Sequence, residues 1–85
     1  MKQDQEQQPP HVVHVIPKGE RHEVRVSLSK YRGRTFVDLR LFIVDGQGEW
    51  IPTRKGVTVD VRQLEELEEA VLKLRNVVEH STHPF

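Results

Sequence analysis

From Glu23 to Val44, apolar side chains recur at every second position, and the alternation breaks only around a glycine set among charged residues. A period of two sends successive side chains to opposite faces of an extended chain, so the pattern predicts strands and argues against a helix. Val24, Val26 and Leu28 point one way, and Glu23, Arg25, Ser27 and Ser29 the other. Lys30-Tyr31-Arg32-Gly33-Arg34 then makes a turn in which Gly33 is free to take positive φ. In the second strand, Thr35 to Val44, the residues Val37, Leu39, Leu41 and Ile43 share one face. Phe36, Asp38, Arg40 and Phe42 share the other, and a face that mixes rings with charges is not ordinary core.

Asp45-Gly46-Gln47-Gly48 is a second turn signal. A third strand, Glu49 to Lys55, carries Pro52, which cannot donate to a ladder and predicts a sheet edge or a bulge. Gly56 is expected to break it, leaving Val57-Thr58-Val59 as a brief fourth strand. Asp60 then opens a helix expected from about Val61 to Glu79. It is an N-cap residue type, Gln63 stands three later as in a capping box, and Val59 with Leu64 suits a hydrophobic staple. Leu64, Leu67, Val71, Leu74 and Val78 form an apolar stripe at spacings of three and four, with Leu72 and Val77 beside it. A helix so wide in apolar surface is expected to cover its own sheet and also to meet a second copy of itself.

With 85 residues and no cysteine, the chain is at most one small domain without disulfide staple or thiolate metal site. Oligomerisation is the remaining common source of buried area, so a homodimer is expected. Residues 1–21 are read as a flexible N-terminal arm, 22–80 as the domain and 81–85 as a loose tail. Within the arm, His11-Val12-Val13-His14-Val15-Ile16-Pro17 is either a minor strand or a segment lying on a partner subunit. His11 and His14 lack a third ligand and sit in a poor helix context, so no metal or cofactor is expected. There is no apolar run of membrane-spanning length and no signal-peptide core, which predicts an intracellular protein of cytoplasm, nucleoid or nucleus with no membrane partner.

The formal net charge is zero, but it is unevenly spread. Residues 21–56 carry eight basic groups against four acidic ones, while residues 57–85 carry three against six. The predicted sheet is therefore basic and the helix acidic, with Glu65, Glu66, Glu68 and Glu69 on a solvated helix face that would repel nucleic acid.

The order β-β-β-β-α resembles the single-stranded-DNA-binding C-terminal domain of the transcriptional positive cofactor four family. The resemblance is carried by Arg32-Gly33-Arg34, Val37-Asp38-Leu39-Arg40, the Asp45…Gly48-Glu49 turn, Pro52-Thr53-Arg54-Lys55-Gly56-Val57 and the helix start from Asp60 to Leu64, over about residues 22–79. It implies an α+β fold: a four-stranded curved antiparallel sheet followed by one C-terminal helix, paired as a homodimer. It also implies a largely sequence-independent binder of single-stranded DNA that acts as a coactivator or regulator in transcription. By position, the implied contacts are Tyr31, Arg32, Arg34, Arg40, Arg54 and Lys55, with helices forming the dimer contact. Two departures stand out: Ile43 where the family often has an aromatic ring, and Ile51 where it often has lysine. Trp50 is the candidate to compensate.

Such a site needs cations that follow phosphates and rings that stack on bases. Each residue also has a plainer reading. Arg32 and Arg34 could be a solvated hairpin tip, Arg40 one half of a cross-strand pair with Asp38 or Glu49, and Arg54 with Lys55 a charged guard on a sheet edge. Trp50 is either a core plug under the helix or an exposed stacking platform, and Phe36 and Phe42 could pack against the arm. Leu67, Val71, Leu72, Leu74 and Val78 are the expected dimer residues on the helix. Two other functions stay open: an RNA or mixed single-strand binder, and a protein-interaction module that recruits an acidic partner through the basic sheet. Catalysis is not expected, because no nucleophile, histidine and acid fall on ordered elements together and no phosphate-binding glycine loop is present.

Overall fold

The computed structural model describes residues 10–81. Four strands, β1 (His11–Pro17), β2 (His22–Tyr31), β3 (Arg34–Val44) and β4 (Trp50–Asp60), form one antiparallel sheet in the order β1-β2-β3-β4. The sheet is open and curved and is followed by a single helix, which is the α+β architecture expected. The four strands are not all those read from the sequence. His11–Pro17 is a strand paired along β2, and the predicted third and fourth strands are one continuous β4. Residues 1–9 of the supposed arm and 82–85 of the tail lie outside the described residues.

Alternation along β2 and β3 sorts the side chains as the pattern requires. Register adds what alternation cannot. Tyr31 pairs with Arg34, which makes Arg32-Gly33 a two-residue loop, and the ladder then sets Arg25 opposite Arg40 and Glu23 opposite Phe42. Both loop residues have positive φ, 52° at Arg32 and 76° at Gly33, the condition of the hairpin turn whose twist matches the flanking strands. At the next turn the Asp45 carboxylate accepts hydrogen bonds from the backbone N–H of Gln47 (2.8 Å) and Glu49 (2.9 Å), and these donors hold its pKa below the usual value.

β4 continues through Gly56 because the ladder is irregular there. Arg40 pairs with Gly56 but Phe42 with Pro52, so Thr53, Arg54 and Lys55 bulge opposite Leu41. Pro52 thus sits on an edge strand next to a bulge, as its missing donor demanded. The Thr53 hydroxyl donates to the Leu41 carbonyl at 2.8 Å and pins the bulge. A bulge absorbs the surplus residues, so glycine here does not terminate the strand.

The helix begins differently from expectation. Val61–Gln63 is a 3₁₀ turn, and the α-helix, α1, spans Leu64–Glu79. Asp60 does cap, accepting from the Arg62 backbone N–H at 2.8 Å, but Gln63 makes no reciprocal bond. The Asp60 carboxylate is instead taken by the Arg62 side chain (3.0 and 3.2 Å) and by Arg34 (3.0 Å). The Arg62 guanidinium, then the Arg62 backbone N–H and Arg34 hold the Asp60 carboxyl well below the ordinary carboxylate range. A carboxyl whose pKa is depressed by folding stabilises the fold fully above its unfolded value and loses that contribution as pH falls toward its folded value. Asp60→Asn is therefore expected to lower the melting temperature at pH 7, by an amount that shrinks as pH drops below about 4. Thermal melts of both proteins across that range check it, and a constant gap would refute it.

Nor does the helix cover its own sheet. No residue of α1 is buried, and the helix projects away after its first turn. Leu64 lines a hollow of about 180 Å³ with Val13, Val26, Leu28 and Val37. Beyond it Val71, Leu72, Leu74, Val77 and Val78 are exposed. Val37 is the one buried hydrophobic side chain among the described residues. A sheet whose apolar face is half-open, beside a helix with an uncovered apolar stripe, has an incomplete core.

Candidate nucleic-acid interface

The polar face of the sheet is built by the odd residues of β2, the even residues of β3 and their partners on β4. It carries all four aromatic rings of the described residues, and each lies under a guanidinium. Arg32 stands 5.2 Å from the Tyr31 ring centre, Arg34 5.9 Å from Phe36, and Arg25 4.1 Å from Phe42 and 6.0 Å from Trp50. Rings and arginines interleaved on an open surface can take bases by stacking and phosphates by charge.

The predicted contact residues separate into groups. At the hairpin tip, Tyr31 is 56% exposed beside Arg32 and Arg34. Arg32 occupies the left-handed region, which an L-residue with a Cβ enters at a cost of about 1–2 kcal/mol and where asparagine or glycine would be easier. A charged side chain kept at a strained turn is a pointer toward contact with a ligand. Arg34 is exposed but held by Asp60.

In the middle, Arg40 is more constrained than the sequence suggested. It donates from Nε and Nη2 to Asp38 (3.1 and 2.9 Å) and from Nη1 across β4 to the Thr53 carbonyl (3.1 Å). Its carboxylate partner is thus Asp38, two residues away on the same strand, and Thr58 completes the set by donating to Asp38 at 3.3 Å. Asp38 also raises the Arg40 pKa, chiefly through the hydrogen bonds. Arg40 therefore ties β3 to the bulge, and its removal would disturb the sheet as well as any contact. Arg54 and Lys55 stand exposed on the bulge with no ion-pair partner among the described residues.

At the far end, Trp50 opposes Val44 on the polar face and is 37% exposed, so it does not plug a core beneath the helix. Phe36 and Phe42 meet arginines rather than the N-terminal strand. Sequence reasoning missed Arg25, clamped by Glu23 at 2.7 Å over Phe42. A two-residue loop at Arg32-Gly33 would have placed Arg25 beside Phe42 by counting back along the ladder, but Arg-Gly lacks the Asn-Gly signature that announces such loops. Ile43 and Ile51 turn out to oppose each other directly, on the apolar face. Both departures from the family pattern thus form one apolar cross-strand pair, away from the ring-and-arginine face.

Fold and face together define a class: an open antiparallel sheet with a basic, aromatic surface, followed by a helix left uncovered by its own sheet. Residues 18–70, well over half of the chain, match the family model described as Transcriptional Coactivator p15 (PC4), and the chain belongs to that family. Among solved structures it is similar to a PC4 homolog from Burkholderia pseudomallei K96243. In the orthorhombic crystal form the TM-score is 0.73 at 29% identity, over 80% of this chain and 92% of that one. In the tetragonal form it is 0.73 at 30%, over 79% and 98%. The fold also matches a bacteriophage T5 homolog of the eukaryotic coactivator PC4, described as implicated in recombination-dependent DNA replication. There the TM-score is 0.61 at 23% identity, over 82% of this chain and 84% of that one. Among the described residues, no helix is long and apolar enough to cross a membrane, and no three His, Cys, Asp or Glu side chains are gathered for a metal ion.

Proposed function

We propose that this chain binds single-stranded DNA, with little regard to sequence, on the ring-and-arginine face of its sheet, and does so as a homodimer with a coactivator-like or regulatory role in transcription. The observation that carries the reading is the pairing of every described aromatic ring with a guanidinium on one open face. Tyr31, Arg32, Arg34, Arg40, Trp50, Arg54 and Lys55 are its proposed contacts. Arg32, Arg54 and Lys55 carry the phosphate attraction, since no carboxylate among the described residues offsets them, while Arg40 shapes the surface. The dimer rests on the uncovered stripe of α1, with Leu67, Val71, Leu72, Leu74 and Val78 facing their copies.

Titration of labelled oligo-dT against duplex and matched RNA, with a mass measurement of the free protein, tests this reading. Affinity should be greatest for single strands and should fall with salt at a log–log slope of about −0.7 per phosphate neutralised. Arg54→Ala with Lys55→Ala should make that slope shallower by about 1.4, because two counterion-releasing contacts are gone. An unchanged slope would remove these residues from the site. Equal or tighter RNA binding would move the preference to RNA, and no binding at low salt would end the proposal.

A further inference from the structure

The cations of this face and of the bulged β4 edge differ in what holds them. Arg25, Arg34 and Arg40 are each clamped to a carboxylate, of Glu23, Asp60 and Asp38 respectively. Arg32, Arg54 and Lys55 have none among the described residues. Charge free to meet phosphate is therefore concentrated at the hairpin tip and the bulge, while Arg21, at the opposite end, is folded onto the Val44 and Asp45 carbonyls (3.3 and 3.5 Å). The far end of the sheet is different. There the Arg25 guanidinium lies 4.1 Å from the Phe42 ring centre and 6.0 Å from that of Trp50, while Glu23 receives its Nε–H at 2.7 Å.

A guanidinium stacked on a ring and neutralised by a carboxylate has little left to offer a phosphate. It still presents a flat, polarisable surface beside the indole. Trp50 is more than a third exposed, so a face of its ring remains available. Phe42 is six steps along β3 from Phe36, about 20 Å at roughly 3.3 Å per residue, so this end lies well away from the hairpin tip.

We infer that Glu23, Arg25, Phe42 and Trp50 form a charge-neutral stacking subsite for one unpaired nucleobase, separate from the phosphate-binding cations at the hairpin tip and bulge. The inference rests on the proposed single-strand binding and specifies how one end of that surface works. A base held there adds affinity by stacking, releases no counterion, and is insensitive to salt.

Trp50 is the chain's one tryptophan, so its emission reports this subsite directly. Labelled oligo-dT is titrated at several salt concentrations, and polarisation of the oligonucleotide is recorded together with Trp50 emission. The wild type should show quenching that tracks binding. Trp50→Ala should weaken binding roughly 5- to 100-fold at every salt concentration, with the log–log slope unchanged. Trp50→Phe, which keeps a ring, should retain most of the affinity. Polarisation that saturates while Trp50 emission stays constant would overturn the subsite and leave single-strand binding intact. So would a Trp50→Ala loss that fades as salt rises, the signature of a lost charge contact. A wild type whose oligonucleotide polarisation never rises would overturn the binding itself, and the subsite with it.

Discussion

Leu74→Glu is expected to convert a particle of twice the 9.9 kDa chain mass into one of 9.9 kDa, and to lower its melting temperature sharply. Leu74 is 64% exposed in the single chain. On a lone subunit its replacement would be a surface change, within about 0.5 kcal/mol of neutral. In a dimer sealed along α1, the same substitution buries an unpaired carboxylate, which costs about 3–5 kcal/mol. The contrast between those outcomes makes the residue informative. The wild-type melting temperature should also rise with protein concentration, because unfolding then separates two chains. Light scattering after size exclusion, with melts at two concentrations, checks both points. A wild type that runs at 9.9 kDa would sink the dimer and leave the exposed stripe of α1 without an explanation.

Gly56→Ala should be nearly as damaging, although an alanine is one methyl group. A Cβ at position 56 would stand 2.7 Å from the Leu39 carbonyl oxygen, 2.8 Å from the Arg40 guanidinium carbon and 2.9 Å from its Nη1. Glycine is needed here for close approach, since it lets Arg40 lie across the β4 backbone and reach the Thr53 carbonyl. The alanine must push aside both a flexible side chain and a neighbouring strand. The expected penalty is about 1–3 kcal/mol, or roughly 5–20 °C in a domain of this size. Arg40→Ala in the same chain should recover only part of the loss, because the backbone clash with Leu39 remains. Thermal melts of the two single variants and the double variant test this. A Gly56→Ala protein as stable as wild type would show that the bulge relaxes freely, and that Gly56 does not hold Arg40 in place.

Both predictions concern places where local reading of the chain fell short. Taken locally, the strip Pro52-Thr53-Arg54-Lys55-Gly56 reads as a strand, a charged guard and a stop. A proline and a glycine near one another do punctuate most strands. Here they flank a bulge, and the Thr53 hydroxyl and the Arg40 side chain stitch it to β3 from across the ladder. Those bonds link residues twelve and thirteen positions apart, beyond the reach of any local pattern. Similarly, the apolar stripe of α1 was legible, but what it covers was not. Amphipathic periodicity says that a helix has a face to bury and is silent about whether its own sheet or a second copy will bury it.

Alternation along Glu23–Val44 was enough to establish two strands, to put Phe36, Asp38, Arg40 and Phe42 on one side, and to mark that side as something other than core. The uneven charge made it basic, and Asp60 with the leucine and valine stripe set where the helix follows. Tertiary structure alone decided which arginine meets which ring. A side-chain period of two assigns faces, yet it leaves the offset between neighbouring strands undetermined. That offset comes from a two-residue loop with Arg32 in an unfavourable conformation and from the bulge at Thr53–Lys55. They bring Arg25 over Phe42 beside Trp50 and leave Arg54 and Lys55 at the edge without an ion-pair partner among the described residues.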